Sequence, residues 1–359
     1  MLRKFDAGLR RHRRRVALGL AACAFLIAPF LGSEYWQHLL VLVAINILVV
    51  VGLHLLTGLT GQLSFGHAAF MGTGAYAGAL LLTKTQVPYV VGGIAAVGGA
   101  TVLALMVGPA IVRLVGDYFV IATIGIGEVI YLVLLNSLQL TGGPLGLSGV
   151  PAPALGPLTV QSDTQFYYVI LAIDAAACIL IWRLSGSRVG RALIAVRDDE
   201  LAARFLGVRA RYYKVVALAI SAGFAGLAGL LFGSYASYIS PDSFGYTQSI
   251  GFAIMVILGG LGSMAGAVVG AILVTLAPEA LRTLSEWRLP LYGAVLVFVM
   301  IVRPQGLFGR SVVTGRPPLA VFRHIRRRLF GESPITGASP AAAVDPLAAA
   351  AEVPPPNRG

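Results

Sequence analysis

The sequence predicts an all-α protein that crosses a membrane repeatedly, with about ten transmembrane segments, some of them broken or half helices, and with both termini in the cytoplasm. Of its 359 residues, 57% are hydrophobic and only 12% are charged, whereas soluble domains are about 25% charged. Glycine accounts for 44 residues, which suits closely packed membrane helices. The net charge of +12 lies in blocks beside apolar segments. This pattern indicates membrane orientation rather than a nucleic-acid partner.

Nine apolar segments are candidates to enter the membrane, where a full span needs about 20 residues. They are Val16–Leu31, His38–Leu56, Phe65–Leu82, Tyr89–Leu114, Tyr118–Leu138, Phe166–Trp182, Val215–Ser234, Gln248–Leu276 and Leu289–Val302. The first follows a basic N-terminal segment, residues 1–15, and resembles a signal peptide. Because no clear small-residue cleavage site follows it, we expect an uncleaved first helix.

Charge orients these segments across the membrane. The segment 1–15, the loop 187–214 and the segment 303–330 are rich in Lys and Arg, whereas Thr141–Gln165 and Tyr235–Tyr246 contain neither. Basic segments stay in the cytoplasm. We therefore expect the three basic segments inside and the two bare loops outside.

The segment Gln248–Leu276 is expected to contain two short helices. It is 29 residues long and is interrupted by Gly259-Gly260-Leu261-Gly262-Ser263. A single crossing would place Arg303 outside, against its charge. Two helices joined at the break restore the orientation, bring the count to ten and complete a transmembrane domain over 16–302. The Pro- and Ala-rich tail, residues 331–359, is expected to be disordered.

The stretch Ser187–Lys214 is a charged insertion between apolar segments, with seven basic and three acidic residues. Asp198 and Asp199 suit the start of a helix, and Gly207 suits its end. A short capped helix in a cytoplasmic loop is expected to be a docking element.

Six glycines between Gly58 and Gly78 surround Gln62, Ser64 and His67. Broken backbone at membrane depth is tolerated where it is buried in protein or lines a wet cavity. Two interpretations stay open: a discontinuous element beside a translocation path, or a tight helix pair with His67 hydrogen-bonded in the core. Glu128, an acid within an apolar segment, is either a structural partner or path-lining.

No motif for catalysis is present. The lysines, at positions 4, 84 and 214, lie outside any GxxxxGK[ST] context, and neither HExxH nor GxSxG occurs. His67 has no second metal ligand at a suitable spacing, and Cys23 and Cys178 lie in apolar runs typical of core residues. We therefore expect neither an enzyme nor a metal site.

Several blocks of the sequence resemble the permeases of branched-chain amino acid ABC transporters. In family order, from about residue 16 to 310, they include GLTGQLSFGHAAFMGTGAYAGALL, GDYFVIATIGIGEVIYLVLLN with TGGPLGLSGVP, GRALIAVRDDELAARFLGVRARYYK, ILGGLGSMAGAVVGA and RPQGLFG. The TGGPLGLSG block resembles the M-type permease of the pair rather than the H-type.

The resemblance implies a complex in the bacterial inner membrane: a second permease, two ATP-binding cassette subunits and a periplasmic substrate-binding protein. ATP and Mg²⁺ would be bound by the cassette subunits and no cofactor by this chain. The loop 187–214 would dock in an ATPase groove through Arg197, Asp198, Glu200, Ala202, Ala203, Leu206 and Gly207. Candidates to line the path are Gln62, Ser64, His67 and Glu128.

The expected function is thus that of the transmembrane permease subunit of an importer for leucine, isoleucine or valine. Import of urea, amides or other amino acids by the same architecture stays open, because no residue decides between them. An ion-driven secondary transporter would favour paired intramembrane charges or inverted repeats. A purely structural anchor would have no need of broken, glycine-rich segments.

Overall fold

The computed structural model describes residues 25–30, 32–85, 87–155, 158–160, 162–280 and 306–308, together with positions 290, 293, 294, 297 and 301. The predicted segment 1–15, most of the spans Val16–Leu31 and Leu289–Val302, most of the segment 303–330 and the tail 331–359 lie outside the described residues.

The helices whose bounds are described are α1 Glu34–Thr60, α2 His67–Thr85, α3 Tyr89–Ile111, α4 Asp117–Asn136, α5 Leu138–Thr141, α6 Asp163–Gly186, α7 Arg188–Asp198, α8 Glu200–Phe205, α9 Ala210–Ala236, α10 Tyr246–Gly259 and α11 Met264–Ala280. Three 3-10 turns are Ala28–Phe30, Gly143–Leu145 and Pro241–Phe244. Four two-residue strands are β1 Leu147–Ser148, β2 Ala154–Leu155, β3 Leu158–Thr159 and β4 Tyr238–Ile239. The strands pair antiparallel, β1 with β4 and β2 with β3.

Within the described residues, five helices are long and apolar enough to cross a membrane: α1, α3, α4, α6 and α9. Helix α2 has 19 residues and is about 28 Å long, close to the ~30 Å thickness of the hydrocarbon core. Helices α10 and α11 are shorter, with 14 and 17 residues. The chain is therefore a helical multi-pass membrane protein, as predicted, whereas ten segments and two cytoplasmic termini stay predictions.

Helix α1 is the centre of the bundle. Its residues from Leu39 to Thr60 are buried with few exceptions, and it packs against α6, α9, α10 and α11. A helix that is apolar on every side is expected to be surrounded by other helices. Asn46 adds a polar contact, since its Nδ2 donates to the Oγ1 of Thr275 in α11 at 3.0 Å.

Glycines bring α2, α3 and α9 into close contact. A Cβ atom on Gly74 would lie 2.2 Å from the Cα of Gly226, and one on Gly229 would lie 2.0 Å from the carbonyl oxygen of Met71. On the other side of α9, a Cβ on Gly226 would lie 2.6 Å from the Cβ of Ala100 in α3. Membrane helices gain packing contacts when small residues let their backbones approach, and this explains the predicted use of glycine here.

The predicted break in Gln248–Leu276 is confirmed. Helix α10 ends at Gly259 and α11 begins at Met264. Gly260 and Gly262 adopt φ of 115° and 89°, which residues with a side chain rarely adopt. The two helices pack antiparallel, because Cβ atoms on Gly259 and Gly270 would lie 2.0 Å from the carbonyl of Gly266 and 1.9 Å from that of Met255.

The two loops that lack basic residues meet in the structure. Leu147 of β1 pairs with Ile239 of β4, and the hydroxyl of Tyr238 donates to the carbonyl of Leu145 at 3.1 Å. The hydroxyl of Tyr131 in α4 also donates to Asp242 at 2.8 Å. The segments Thr141–Gln165 and Tyr235–Tyr246 therefore share one end of the bundle, as their common charge pattern predicts.

The substitution Gly74→Ala should destabilise the bundle, because the added methyl group meets the backbone of Gly226. We expect a net loss of about 1–3 kcal/mol, measured as a lower midpoint of thermal unfolding in detergent. The matched control is Gly98→Ala in α3, where a Cβ would meet nothing within 4 Å. That change should leave stability equal or raise it by up to about 1 kcal/mol. Equal shifts in both variants would contradict the packing argument.

Candidate functional site

The charged loop contains two helices rather than the one that the sequence predicts. Ser187 is the N-cap of α7, because its side-chain oxygen accepts a hydrogen bond from the backbone N–H of Gly190. Helix α7 ends at Asp198. Asp199 alone caps α8, since its carboxylate accepts from the backbone N–H of Ala202 at 2.9 Å. Gly207 follows α8 with φ of 82°. The predicted capped helix is confirmed, but placing Asp198 at its start was wrong, because that residue completes the preceding helix.

Helix α8 has a buried and an exposed side. Ala203 packs with Val196 and Ala210, whereas Ala202 is exposed. Three apolar side chains face outward, with exposed fractions of 64% for Leu201, 84% for Phe205 and 83% for Leu206. We call these three the docking residues, after the docking role that the sequence predicts for this loop. Of them, only Leu206 was predicted, although apolar residues in an otherwise charged loop are a signal for a covered surface.

Glu200 ties α8 to the start of α9. Its carboxylate accepts from both Arg204 and Lys214, and Lys214 is buried. Burial alone would raise the pKa of the Glu200 carboxyl, but the hydrogen bonds and charges of Lys214 and Arg204 outweigh it, so this pKa lies below its ordinary value. The carboxylate is therefore charged throughout the neutral range. The ion pair fixes α8 on the membrane helix behind it.

Arg197 points into the protein rather than toward the docking residues. Its Nη1 donates to the carbonyl oxygen of Gly58 in the last turn of α1 at 2.8 Å. Its Nε and Nη2 donate to Asp198 at 3.1 and 2.9 Å. Its stem lies over Gly61, where a Cβ would be 2.9 Å from its Cγ, and a Cβ on Gly262 would be 3.8 Å from its Nη1. One side chain therefore packs on the first glycine-rich break and lies beside the second.

The first break is the non-helical link Gly61–Gly66 between α1 and α2. Gly61 has φ of 74° and its N–H bonds to the carbonyl of Thr57. The N–H of Phe65 donates to the Oγ1 of Thr123 in α4 at 3.1 Å, and the N–H of Ala68 donates to the Oγ of Ser249 in α10 at 3.0 Å. The interrupted backbone is thus held by hydroxyl groups from two other helices.

The second break, Gly260–Ser263, is held by the closing motif of the chain. The N–H groups of Leu307 and Phe308 donate to the carbonyls of Leu258 and Gly259, both at 2.9 Å. Gly306 lies so close that a Cβ there would be 2.3 Å from the Cα of Gly260. The described part of RPQGLFG therefore satisfies the end of α10.

His67 and Ser64 are fully buried. The Nδ1 of His67 lies 3.0 Å from the Oγ of Ser64, and its Nε2 lies 2.6 Å from the Oγ of Ser221 in α9. The imidazole thus has a hydrogen-bonding partner at each nitrogen. This is the arrangement expected if His67 is hydrogen-bonded in the core of a tight helix pair. Ser221 was not predicted, because a lone serine in an apolar helix gives no signal of its partner.

Gln62 is different, because its amide is buried without a protein partner. Neither its Oε1 nor its Nε2 has a hydrogen bond, and the same holds for His54 Nδ1 and Thr57 Oγ1 at the end of α1. Buried polar groups are usually paired. The end of α1 therefore carries hydrogen-bonding groups that no described residue pairs with.

Glu128 lies on the exposed side of α4. It borders a crevice with Phe65, Gly127 and Ser249 that is too narrow for a water molecule. The structure thus places Glu128 close to the first break, while Gln62, Ser64 and His67 belong to the break or follow it directly. A role in a path for these four residues stays a prediction. In the described part of the chain, no group of three or more His, Cys, Asp or Glu side chains could hold a metal ion.

Comparison with known proteins identifies relatives over most of the chain. A family model described as the permease component of branched-chain amino acid transport systems matches residues 35–303. The high-affinity branched-chain amino acid permease LivM of Escherichia coli K12 is 34% identical over 81% of this chain and 73% of its own length. LivH of the same organism is 27% identical over 74% of this chain and 92% of its own length.

A more distant relative is named as a permease for a different transported compound. The autoinducer 2 import system permease LsrC of Salmonella paratyphi B is 25% identical over 90% of this chain and 91% of its own length. No solved structure matches the chain.

The substitution Glu200→Gln should destabilise the packing of α8 on α9, because it leaves the buried ammonium of Lys214 without its counter-charge. Because Glu200 is partly exposed, we expect a loss of about 1–3 kcal/mol, measured by thermal unfolding at neutral pH. The lowered pKa places the stabilisation above the ordinary carboxyl pKa of 4.5, with loss only as pH falls below it. The control Asp198→Asn removes a more exposed ion pair worth at most about 1 kcal/mol. A larger loss in the control would contradict the assignment.

Proposed function

The chain belongs to the permease family of branched-chain amino acid transport systems, and on this premise we propose that it forms, with a second permease, the path of a branched-chain amino acid into the cell. A member of this family is a permease component of an ABC transporter. The proposed complex lies in the bacterial inner membrane and includes two ATP-binding cassette subunits and a periplasmic substrate-binding protein. ATP and Mg²⁺ are held by the cassette subunits, and this chain contributes no chemistry of its own.

The observation that carries the coupling proposal is the bond from Arg197 to the carbonyl of Gly58. It joins the loop that bears the docking residues to the end of the central helix. Asp198 orients the guanidinium from the side, and a charge-assisted bond of this kind is stronger than a neutral one. In the proposed mechanism, movement of the loop reaches the path through Arg197.

The glycines beside Arg197 supply the hinges of this mechanism. Gly61, Gly260 and Gly262 have positive φ, and hinge motions are concentrated in a few residues at the ends of elements. When ATP closes the two cassette subunits, α8 tilts with them as one body, since Asp199 caps it and Glu200 pairs with Arg204 within it. Arg197 then shifts the links Gly61–Gly66 and Gly260–Ser263, and the crevice beside Glu128 opens.

The surface of α4 supports the proposed second permease. The helix has a mean hydropathy of 2.2 in its most apolar window, yet only 11% of that window is buried. It also presents Glu128 on this uncovered surface. A carboxylate facing lipid is costly, so ionisable groups at this depth usually face protein or a wet cavity. The second permease would cover this side of α4.

The free hydrogen-bonding groups of Gln62, Thr57 and His54 suit the passage of a polar solute. A branched-chain amino acid carries an ammonium and a carboxylate that need such partners after leaving water. Urea, amides and other amino acids have the same need, so these groups support a polar cargo and the family supports this particular one.

Uptake into vesicles tests the proposal. The full-length chain would be reconstituted with its second permease and cassette subunits, and the binding protein would be supplied loaded with leucine, with urea or with an acidic amino acid. We expect ATP-dependent uptake with leucine. Uptake with urea alone would retain the coupling and overturn the cargo. Uptake by this chain without cassette subunits would overturn the ABC mechanism in favour of an ion-driven transporter.

The substitution Arg197→Ala should uncouple transport from ATP hydrolysis. The docking residues are unchanged, so the cassette subunits stay bound and hydrolyse ATP, whereas uptake per ATP falls about tenfold or more with the loss of a charge-assisted bond. The control Arg191→Ala removes an exposed arginine of α7 whose side chain, among the described residues, bonds to the carbonyl of Gly186 at the end of α6, and it should transport normally. Release of the cassette subunits by Arg197→Ala would instead make Arg197 a docking residue.

A further inference from the structure

A basic cleft of about 430 Å³ lies between the end of α3 and the start of α9, outside the coupling path. We call it the arginine cleft. Its lining residues are Val112, Arg113, Arg204, Val208, Arg209, Ala210 and Arg211. Four of these are arginines and none is acidic, while Val112 and Ala210 are buried in its floor. Its volume lies within the ordinary range of small-ligand sites.

Two of the four arginines have their charge engaged by the protein. Arg204 pairs with Glu200, and Arg211 donates to the carbonyl of Pro109 in the last turn of α3 at 2.8 Å. The side chains of Arg113 and Arg209 form no ion pair or hydrogen bond with any described residue. Like charges gathered without a counter-charge repel one another and favour an anion between them.

The cleft lies at the boundary between membrane and water. Helix α3 is one of the helices apolar enough to span the bilayer, and it ends at Ile111, two residues before Arg113. One to two turns earlier it exposes Met106, with an exposed fraction of 74%, and Leu105. The cleft therefore joins a basic pocket to an apolar, outward-facing helix surface. The charge of the loop places this end of α3 on the cytoplasmic side.

We propose that the arginine cleft binds the phosphate headgroup of an anionic phospholipid of the cytoplasmic leaflet. Basic pockets between membrane helices on this side suit such headgroups. Arg113 and Arg209 bind the phosphodiester, since guanidinium groups match phosphate oxygens in geometry and charge. The acyl chains lie along Met106 and Leu105, a surface that a free phosphate ion would leave unused. The site is distinct from the docking residues and goes beyond the proposed transport function.

An acidic surface of a cassette subunit is the competing occupant, because three of the four arginines, Arg204, Arg209 and Arg211, belong to the loop 187–214. Two of the lining residues, Val112 and Arg113, lie instead directly after the end of α3 at Ile111. The hydrogen bond from Arg211 to the carbonyl of Pro109 also joins the lining of the cleft to α3. These contacts favour lipid.

Native mass spectrometry of the full-length chain, purified in the complex that it forms in its own membrane, tests the proposal. The probe is phosphatidylglycerol, titrated against phosphatidylcholine and against inorganic phosphate. We expect the wild type to retain phosphatidylglycerol preferentially. The double substitution Arg113→Gln with Arg209→Gln should weaken that binding about 25-fold, from about fivefold for each arginine.

Two comparisons make the result specific. The substitutions Arg113→Lys and Arg209→Lys keep the charge and should retain most of the binding, which separates charge from folding. The double control Arg183→Gln with Arg188→Gln removes two exposed arginines outside the cleft, one near the end of α6 and one at the start of α7, and should bind normally. Equal loss in the control, displacement of the lipid by inorganic phosphate, or loss of cassette subunits in place of lipid would each overturn the lipid site.

Discussion

Every interruption of a helix inside a membrane leaves backbone donors and acceptors that lipid cannot satisfy. In the part of the chain that the structure describes, glycine-rich breaks interrupt the helices at Gly61–Gly66 and at Gly260–Ser263, and each time other elements supply the partners. Arg197 donates to the carbonyl of Gly58, and Thr123 accepts from the N–H of Phe65. The backbone N–H groups of Leu307 and Phe308 donate to the carbonyls at the end of α10. The requirement to satisfy these groups decides which elements are joined. It connects the charged loop 187–214 to the centre of the bundle.

The need to satisfy these backbone groups explains why the loop 187–214 has an inward-facing and an outward-facing side. The docking residues face outward, whereas Arg197 faces inward, and Glu200 holds the helix between them to Lys214. A loop with only the outward side would bind a partner without consequence for the path. A loop with only the inward side would stabilise the bundle without receiving a signal. The two sides together suit an element that converts partner movement into movement of the breaks.

The sequence alone predicted the features that depend on the residue types of a short segment. Glycines at Gly260 and Gly262 predicted the break because only glycine adopts their backbone conformation readily, and Asp199 and Gly207 predicted the ends of α8.

The inward direction of Arg197 could not be predicted, because its acceptor at Gly58 is distant in the chain. The pairing of His67 with Ser221 was hidden for the same reason. Nor could apolarity alone separate buried α1 from exposed α4, because hydropathy does not distinguish helix-facing from lipid-facing or partner-facing surface.

Hydrogen–deuterium exchange of the assembled transporter, with and without trapped ATP, tests the central claim most directly. If Arg197 carries movement from the loop to both breaks, the amides of 58–66 and 259–263 should change their exchange together with those of 197–207 when ATP is trapped. A change confined to 197–207 would contradict the claim and would reduce the loop to a docking site alone.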